Sequence, residues 1–281
     1  MGPGLSIAAP PSKWGDRFAS LARGRDLREP GIGLRFLPAY DLRRNSVSTF
    51  FCTPAFIAGG SDIICGYRAF LNIDTRDLPL LDCAILELAV GFARTLGRAG
   101  IVAAVSASVN FETLACPRGR ALYLGALLHF GAAHNRHLVV TVEEIPPGTP
   151  SGRLFDMIVC LRAYVRRVFV HLSERDPRLA GEGRVGATGI MTSLPQRATR
   201  AVTMGLAKSL VRVCDTQSAV SCIDCVESET ELDIVRAIGV RYAAGKIFAE
   251  RGLRADTPIA AIHKLLATPH GRVIGPAIGF P

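Results

Sequence analysis

A closed α/β barrel, built as a single domain with a short N-terminal arm, is the fold this sequence predicts. Three observations carry it. From residue 34 to residue 244, short apolar and β-branched runs alternate with longer segments whose apolar residues recur every three or four positions. Repeated strand–helix units imply a parallel sheet covered by helices. Seven or eight strands within about 220 residues suit closure better than an open sheet. The 281 residues, 49% apolar and 20% charged, are ample for a buried core and exclude wholesale disorder.

The elements follow in order. Residues 1–31 are rich in Gly, Pro and Arg without a sustained period, and read as an arm with one short helix around Trp14–Leu21. LRFLP (34–38) and VSTFF (47–51) are short strands joined by the DLRRN turn. Asp77 then caps a helix with Pro79 in its first turn. Its apolar positions Leu81, Ala84, Ile85, Leu88, Ala89, Phe92 and Leu96 share one face. IVAAVSASVN (101–110) is a buried strand, 119–133 a helix, LVVTVEE (138–144) a strand, 152–164 a helix and RVFVHL (167–172) a strand. A weaker strand near 184–190 precedes a helix at 196–210 and the strand AVSCID (219–224). Ser228 with Glu231 is a capping box opening the next helix, which Gly239 ends. VRYAA (240–244) is the last strand, and a helix is expected at 258–267. The expected domain limits are 1–31 for the arm, 32–252 for the barrel and 253–281 for a C-terminal extension.

The formal net charge is +9, which favours polyanions or an acidic partner and says nothing of fold. The excess concentrates in residues 161–213, where ten Arg and Lys face three acids. Eight cysteines do not make a disulfide framework. Cys65, Cys83 and Cys160 sit in apolar segments as small hydrophobes, and the single C-x-x-C of Cys222 and Cys225 lacks the second pair that a structural zinc site wants. No basic start followed by an apolar block marks a secretory signal, and no run of about 18–20 apolar residues marks a membrane span. A reducing cytoplasm is the expected compartment, with no membrane insertion.

Several landmarks, in order, resemble the EAL-domain family, the cyclic-di-GMP phosphodiesterases of bacterial signalling. FLPAYDLRRNSV resembles the family's opening strand and turn, SASVNFETL (106–114) its asparagine-bearing strand end, and LVVTVEEI the strand that normally carries two glutamates. LAKSLVRVCDTQSAVSCIDCVESETELDIVRAIGVRYAAGKIFAE (206–250) is the strongest match, from one helix through to a final glycine. The resemblance covers roughly residues 33–250 and implies a TIM-like (β/α) barrel of the EAL-domain type, with its site at the C-terminal ends of the strands.

The family hydrolyses a phosphodiester with water held between two divalent cations, which need oxygen ligands and mostly carboxylates. Carried onto this chain, the resemblance places the signature's metal glutamate on Phe51 and its ligand-binding arginine on Ala55. The family asparagine is kept as Asn110, the next glutamate becomes Thr141, and Glu144 keeps a second, structural one. The paired aspartates fall on His171 and Leu172, the lysine near Thr188, and the late glutamine on Ala244. Asp224 replaces a glutamate and Glu227 is retained. Phe51, Leu172 and Ala244 would give the vestigial pocket an apolar character, and Asn110, Asp224 and Glu227 would hold one another by hydrogen bonds.

Two oxygen ligands cannot hold two hard cations against water. The expectation is therefore a degenerate, catalytically inactive EAL-like domain: a regulatory protein acting through contacts with a protein partner, for which the net charge favours an acidic one, or through a homodimer, with no metal or other cofactor. A cyclic-di-GMP receptor without hydrolysis is the alternative, against which Ala55 and the absent lysine argue. Residual phosphodiesterase activity ranks last.

Overall fold

The computed structural model describes residues 3–4, 6–8, 31–57, 63–67, 73–131, 137–251 and 278–279. The helices expected at Trp14–Leu21 and 258–267 lie outside them. Eight strands close into a barrel: β1 (Gly31–Asp41), β2 (Ser46–Ile57), β3 (Ala104–Asn110), β4 (Leu138–Glu143), β5 (Arg167–His171), β6 (Gly189–Ser193), β7 (Val220–Asp224) and β8 (Tyr242–Ala244). Strands β2 to β8 run parallel, each paired with the next.

The sheet is not parallel throughout, as the strand–helix alternation implied. Strand β1 pairs antiparallel with β2 on one side and with β8 on the other, and so closes the ring. The reason is local: a parallel return needs a crossover of a dozen or more residues, and the DLRRN turn is a hairpin connection. The Asp41 carboxylate fixes that turn by accepting the backbone N–H groups of Arg43 and Arg44, both at 3.0 Å, and Asn45 takes the left-handed conformation with φ 53°. Both hairpin strands are longer than expected, β1 running through Pro38, where the expected strand ended, and β2 running on past Phe51 through Pro54. Part of the arm also adds to the sheet, with Ser6–Ala8 antiparallel to Gly33–Arg35.

Helices α1 (Leu78–Arg98), α2 (Phe111–Ala115), α3 (Pro117–Gly131), α4 (Ser151–Arg162), α5 (Arg200–Gln217), α6 (Glu229–Ile238) and α7 (Lys246–Arg251) lie outside or at the rim of the barrel. In α1 the predicted face is the buried one, with Leu81, Ala84, Ile85 and Ala89 fully covered. The capping box of Ser228 and Glu231 is formed, and Gly239 ends α6 at φ 95°. Strand β6 begins at Gly189, several residues later than the expected strand near 184–190. Gly181, Gly183 and Gly186 all hold positive φ, which breaks extended structure, and Gly189 lies under the Phe169 ring, where a Cβ would sit 2.4 Å from a ring carbon. Cys160, expected in the core, faces out, because α4 buries Leu154, Met157, Ile158 and Leu161 instead.

Apolar packing forms two layers. The larger lies between strands and helices, and the smaller fills the barrel with Ala39, Phe51, Ala104, Val139, Phe169, Met191 and Cys222. At the N-terminal rim, Asp41 meets the Arg241 guanidinium at 2.6 Å, and the Leu42 N–H donates to the Arg241 carbonyl at 3.0 Å. These bonds pin the start of β8 to the end of β1. Asp41 is 1% exposed and Arg241 25% on their side chains, so the pair is only half desolvated. Replacing Asp41 with Ala removes this ion pair and both turn bonds together. The expected cost is about 2–4 kcal/mol in urea unfolding, with Arg241→Met costing less than half as much.

Candidate functional site

The seven parallel strands end at one rim, and alternation along each decides which side chains point inward. Near that rim the inward positions are Ser108 and Asn110 on β3, Glu143 on β4, His171 on β5, Ser193 on β6, Asp224 on β7 and Ala244 on β8. The register sets Asn110 beside Glu143, His171 beside Met191 and Ser193 beside Asp224. Below them Phe51 and Phe169 pack with ring centroids 6.0 Å apart, and the Thr141 hydroxyl bonds Ser106 at 2.6 Å. The floor of the site is thus neutral and largely apolar.

Glu143 is the main residue that the sequence reading passed over. Burial pushes its carboxyl upward, opposed by the nearby charge of His171 and a hydrogen bond with Ser108. The Ser108 hydroxyl also reaches the Cys52 carbonyl at 3.1 Å. One hydroxyl has one proton, so Ser108 divides it between the Glu143 carboxylate and the Cys52 carbonyl. Glu144, taken as the retained glutamate, is exposed in a left-handed turn at φ 55°. The signal was available, because a period of two that turns Thr141 inward turns Glu143 inward as well.

The remaining predicted positions divide. Phe51, Thr141 and Ala244 face the barrel interior and are buried. His171 does too, half-buried, and its Nε2 lies 2.8 Å from Ser193 Oγ. Leu172 instead faces the helices and belongs to the outer core, so it lines no pocket. Thr188 precedes β6 at the opposite rim, where its hydroxyl donates to the Val168 carbonyl at 2.9 Å and accepts the Val168 N–H at 2.8 Å. The position at the mouth end of β6 is Ser193. Backbone Ala55 lies on β2, paired with Gly33 and Cys65.

Asn110, Asp224 and Glu227 do not hold one another. The Asn110 side chain caps α2 by accepting the Glu112 N–H at 2.9 Å. Glu227 is exposed, its backbone N–H donating to Glu231. Asp224 is half-buried, and its Oδ1 is a buried acceptor without a hydrogen-bond partner. Cys222 is buried within the barrel, where desolvation pushes its thiol well up, whereas Cys225 is exposed. The two thiols of the C-x-x-C therefore face different environments.

A second carboxyl is buried behind the rim. Asp82 of α1 accepts the Tyr67 hydroxyl at 2.5 Å and the Asn110 N–H at 3.1 Å. Burial lifts it to about 7 despite these bonds.

A pair of hard divalent cations does not fit these residues. Asn110 is engaged as a cap, Glu143 is bound to Ser108, and Phe51 offers no donor. Among the described residues no group of three or more His, Cys, Asp or Glu is arranged to hold a metal ion. No helix among them is long and apolar enough to cross a membrane.

An eight-stranded barrel whose first strand runs against the other seven, with helices outside, is the fold of EAL domains. No protein-family model and no curated protein matches the sequence. Among solved structures, the chain is similar to an EAL-domain protein of Listeria monocytogenes at 13% identity and TM-score 0.56, over 76% of this chain and 86% of that one. It is similar to the Xanthomonas citri FimX EAL domain in complex with c-diGMP at 13% identity and TM-score 0.62, over 84% and 92%. The Bacillus subtilis YkuI protein, in complex with c-di-GMP and calcium, gives 16% identity and TM-score 0.62 over 76% and 54%.

The buried acids make stability depend on pH. Folded Asp82 keeps its proton up to about pH 7, whereas its ordinary value is 3.8. Between those values the folded state binds more protons, so stability falls as pH rises through that window and levels off above it. Unfolding by urea is expected to show a decline of order 2–4 kcal/mol between pH 4 and pH 8, with Glu143 acting in the same direction. In Asp82→Asn most of that slope disappears.

Proposed function

We propose that this chain is a degenerate EAL-type signalling domain, inactive as a metal-dependent phosphodiesterase, that works by binding a protein partner. The observation that carries the reading is Phe51. By resemblance it holds the position of a metal-binding glutamate, and it points into the barrel and packs on Phe169. A carboxylate restored there would face an apolar floor, and the donors around it are committed to other bonds. Resident metal would supply hydroxide and charge neutralisation in this fold, and the residues at hand do not fit one.

The basic segment supports the partner's chemistry. Arg178 is withdrawn into a buried pair with Asp176 at 2.6 Å, but Arg162, Arg184, Arg200, Lys208 and Arg212 remain on the surface. Arg162 reaches the Gly186 carbonyl and Arg212 the Ala180 carbonyl, so α4, the 181–188 loop and α5 form one continuous basic face. Met204, 38% exposed, lies in the same helical row as Arg200, Lys208 and Arg212. A surface that mixes cations with exposed apolar groups suits an acidic protein partner.

The second reading is a cyclic-di-GMP receptor without hydrolysis. It is favoured by the FimX and YkuI structures, which hold that dinucleotide in the same fold.

With cyclic-di-GMP and Mn²⁺, the full chain is expected to give no linear dinucleotide by chromatography, and Phe51→Glu alone should restore none. Calorimetric titration decides between the readings: no heat at high micromolar dinucleotide supports partner binding alone, and a saturable isotherm supports the receptor. Reversing Arg200, Lys208 and Arg212 to Glu should abolish partner co-purification without lowering the melting temperature. Steady phosphodiesterase turnover would overturn the first reading.

A further inference from the structure

The barrel mouth holds a hydrogen-bonded nucleophile and base that the lost phosphodiesterase chemistry does not use. We propose that Ser193 is an activated nucleophile, with His171 as its general base, and that its substrate class is a neutral carboxylic ester. Ser193 Oγ lies 2.8 Å from His171 Nε2, the separation at which an imidazole takes a hydroxyl proton. Both side chains are half-buried at the strand ends, on adjacent parallel strands, so they are held by backbone register and remain open to an incoming molecule. A third group stands behind the base. Glu143, at the end of the neighbouring strand, is close enough for the charge of His171 to favour its ionised form, so an imidazolium and a Glu143 carboxylate stabilise one another.

The surroundings select the electrophile. Asp224 is paired in register with Ser193 and presents a buried Oδ1 with no hydrogen-bond partner. A carboxyl beside the nucleophile disfavours phosphates and other anions. The apolar floor of Phe169 and Met191 favours an uncharged acyl group, and the free Asp224 oxygen suits an N–H or O–H on the same molecule.

In the acylation step, the Ser193 proton moves to His171 Nε2 while Oγ bonds the ester carbon. The carbon–oxygen bond to the alcohol then breaks, and the leaving oxygen takes the proton from His171. Water repeats the sequence on acyl-Ser193, releasing the acid and returning the proton to Oγ. One ester and one water give one acid and one alcohol. The inference is independent of partner binding, so either reading can fail alone.

The test is covalent labelling of the full chain by a fluorophosphonate reporter, where a bond from Oγ to phosphorus forms and fluoride leaves. Peptide mass mapping of the wild-type chain is expected to find the label on Ser193. Ser193→Ala should abolish it, and His171→Gln should slow it about tenfold or more, with p-nitrophenyl acetate hydrolysis falling in parallel. Melting curves of each variant report folding, and the wild-type mapping depends on neither variant. Absence of label from Ser193 in the wild-type chain, or labelling that a folded His171→Gln variant leaves unchanged, overturns the proposal.

Discussion

A closed barrel must fill its own centre, and that requirement governs this molecule. Side chains alternate in and out along every strand, so half of each strand's residues are committed to a space too narrow for water and too dry for unpaired charge. Phe51, Phe169 and Met191 meet the requirement with bulk, and Gly189 gives up its side chain so that Phe169 can lie flat across it. The aromatic ring at position 51 is therefore part of the filling of the barrel. It is the plug around which the rest of the interior is arranged.

The rim inherits its electrostatics from that plug. Above an apolar floor a carboxyl is ionised at a cost, so Glu143 accepts a hydrogen bond from Ser108, and Asp82 behind it leans on Tyr67 and a backbone amide. The basic group near Glu143 is His171. At the strand ends, the Asp224 Oδ1 is a buried oxygen without a hydrogen-bond partner.

Much of this was legible in the sequence. The order of strands and helices, the buried face of α1, the Ser228 capping box and the closing glycine all follow from short-range patterns. What the sequence hid was relational. The antiparallel course of β1 depends on a turn too short for any crossover, and the late start of β6 depends on three left-handed glycines. In the site, Phe51 and His171, named by resemblance, point into the barrel. Thr188 was misplaced by the same shift that misplaced its strand, and Leu172 by one step of alternation. Glu143 was overlooked for its neighbour Glu144, although Thr141 two residues earlier fixes the parity.

The union of β1 with β8 also bears on how the chain reaches its final form. The hairpin can assemble from neighbouring residues, but the free side of β1 must wait for Tyr242–Ala244, and the Asp41–Arg241 contact spans 200 positions. During synthesis on the ribosome the Ala39–Asp41 part of that side lacks its partner for most of the time the polypeptide is being made, an edge open to pairing with the wrong strand or another chain. Closure of the ring therefore needs the last strand of the barrel to have been made.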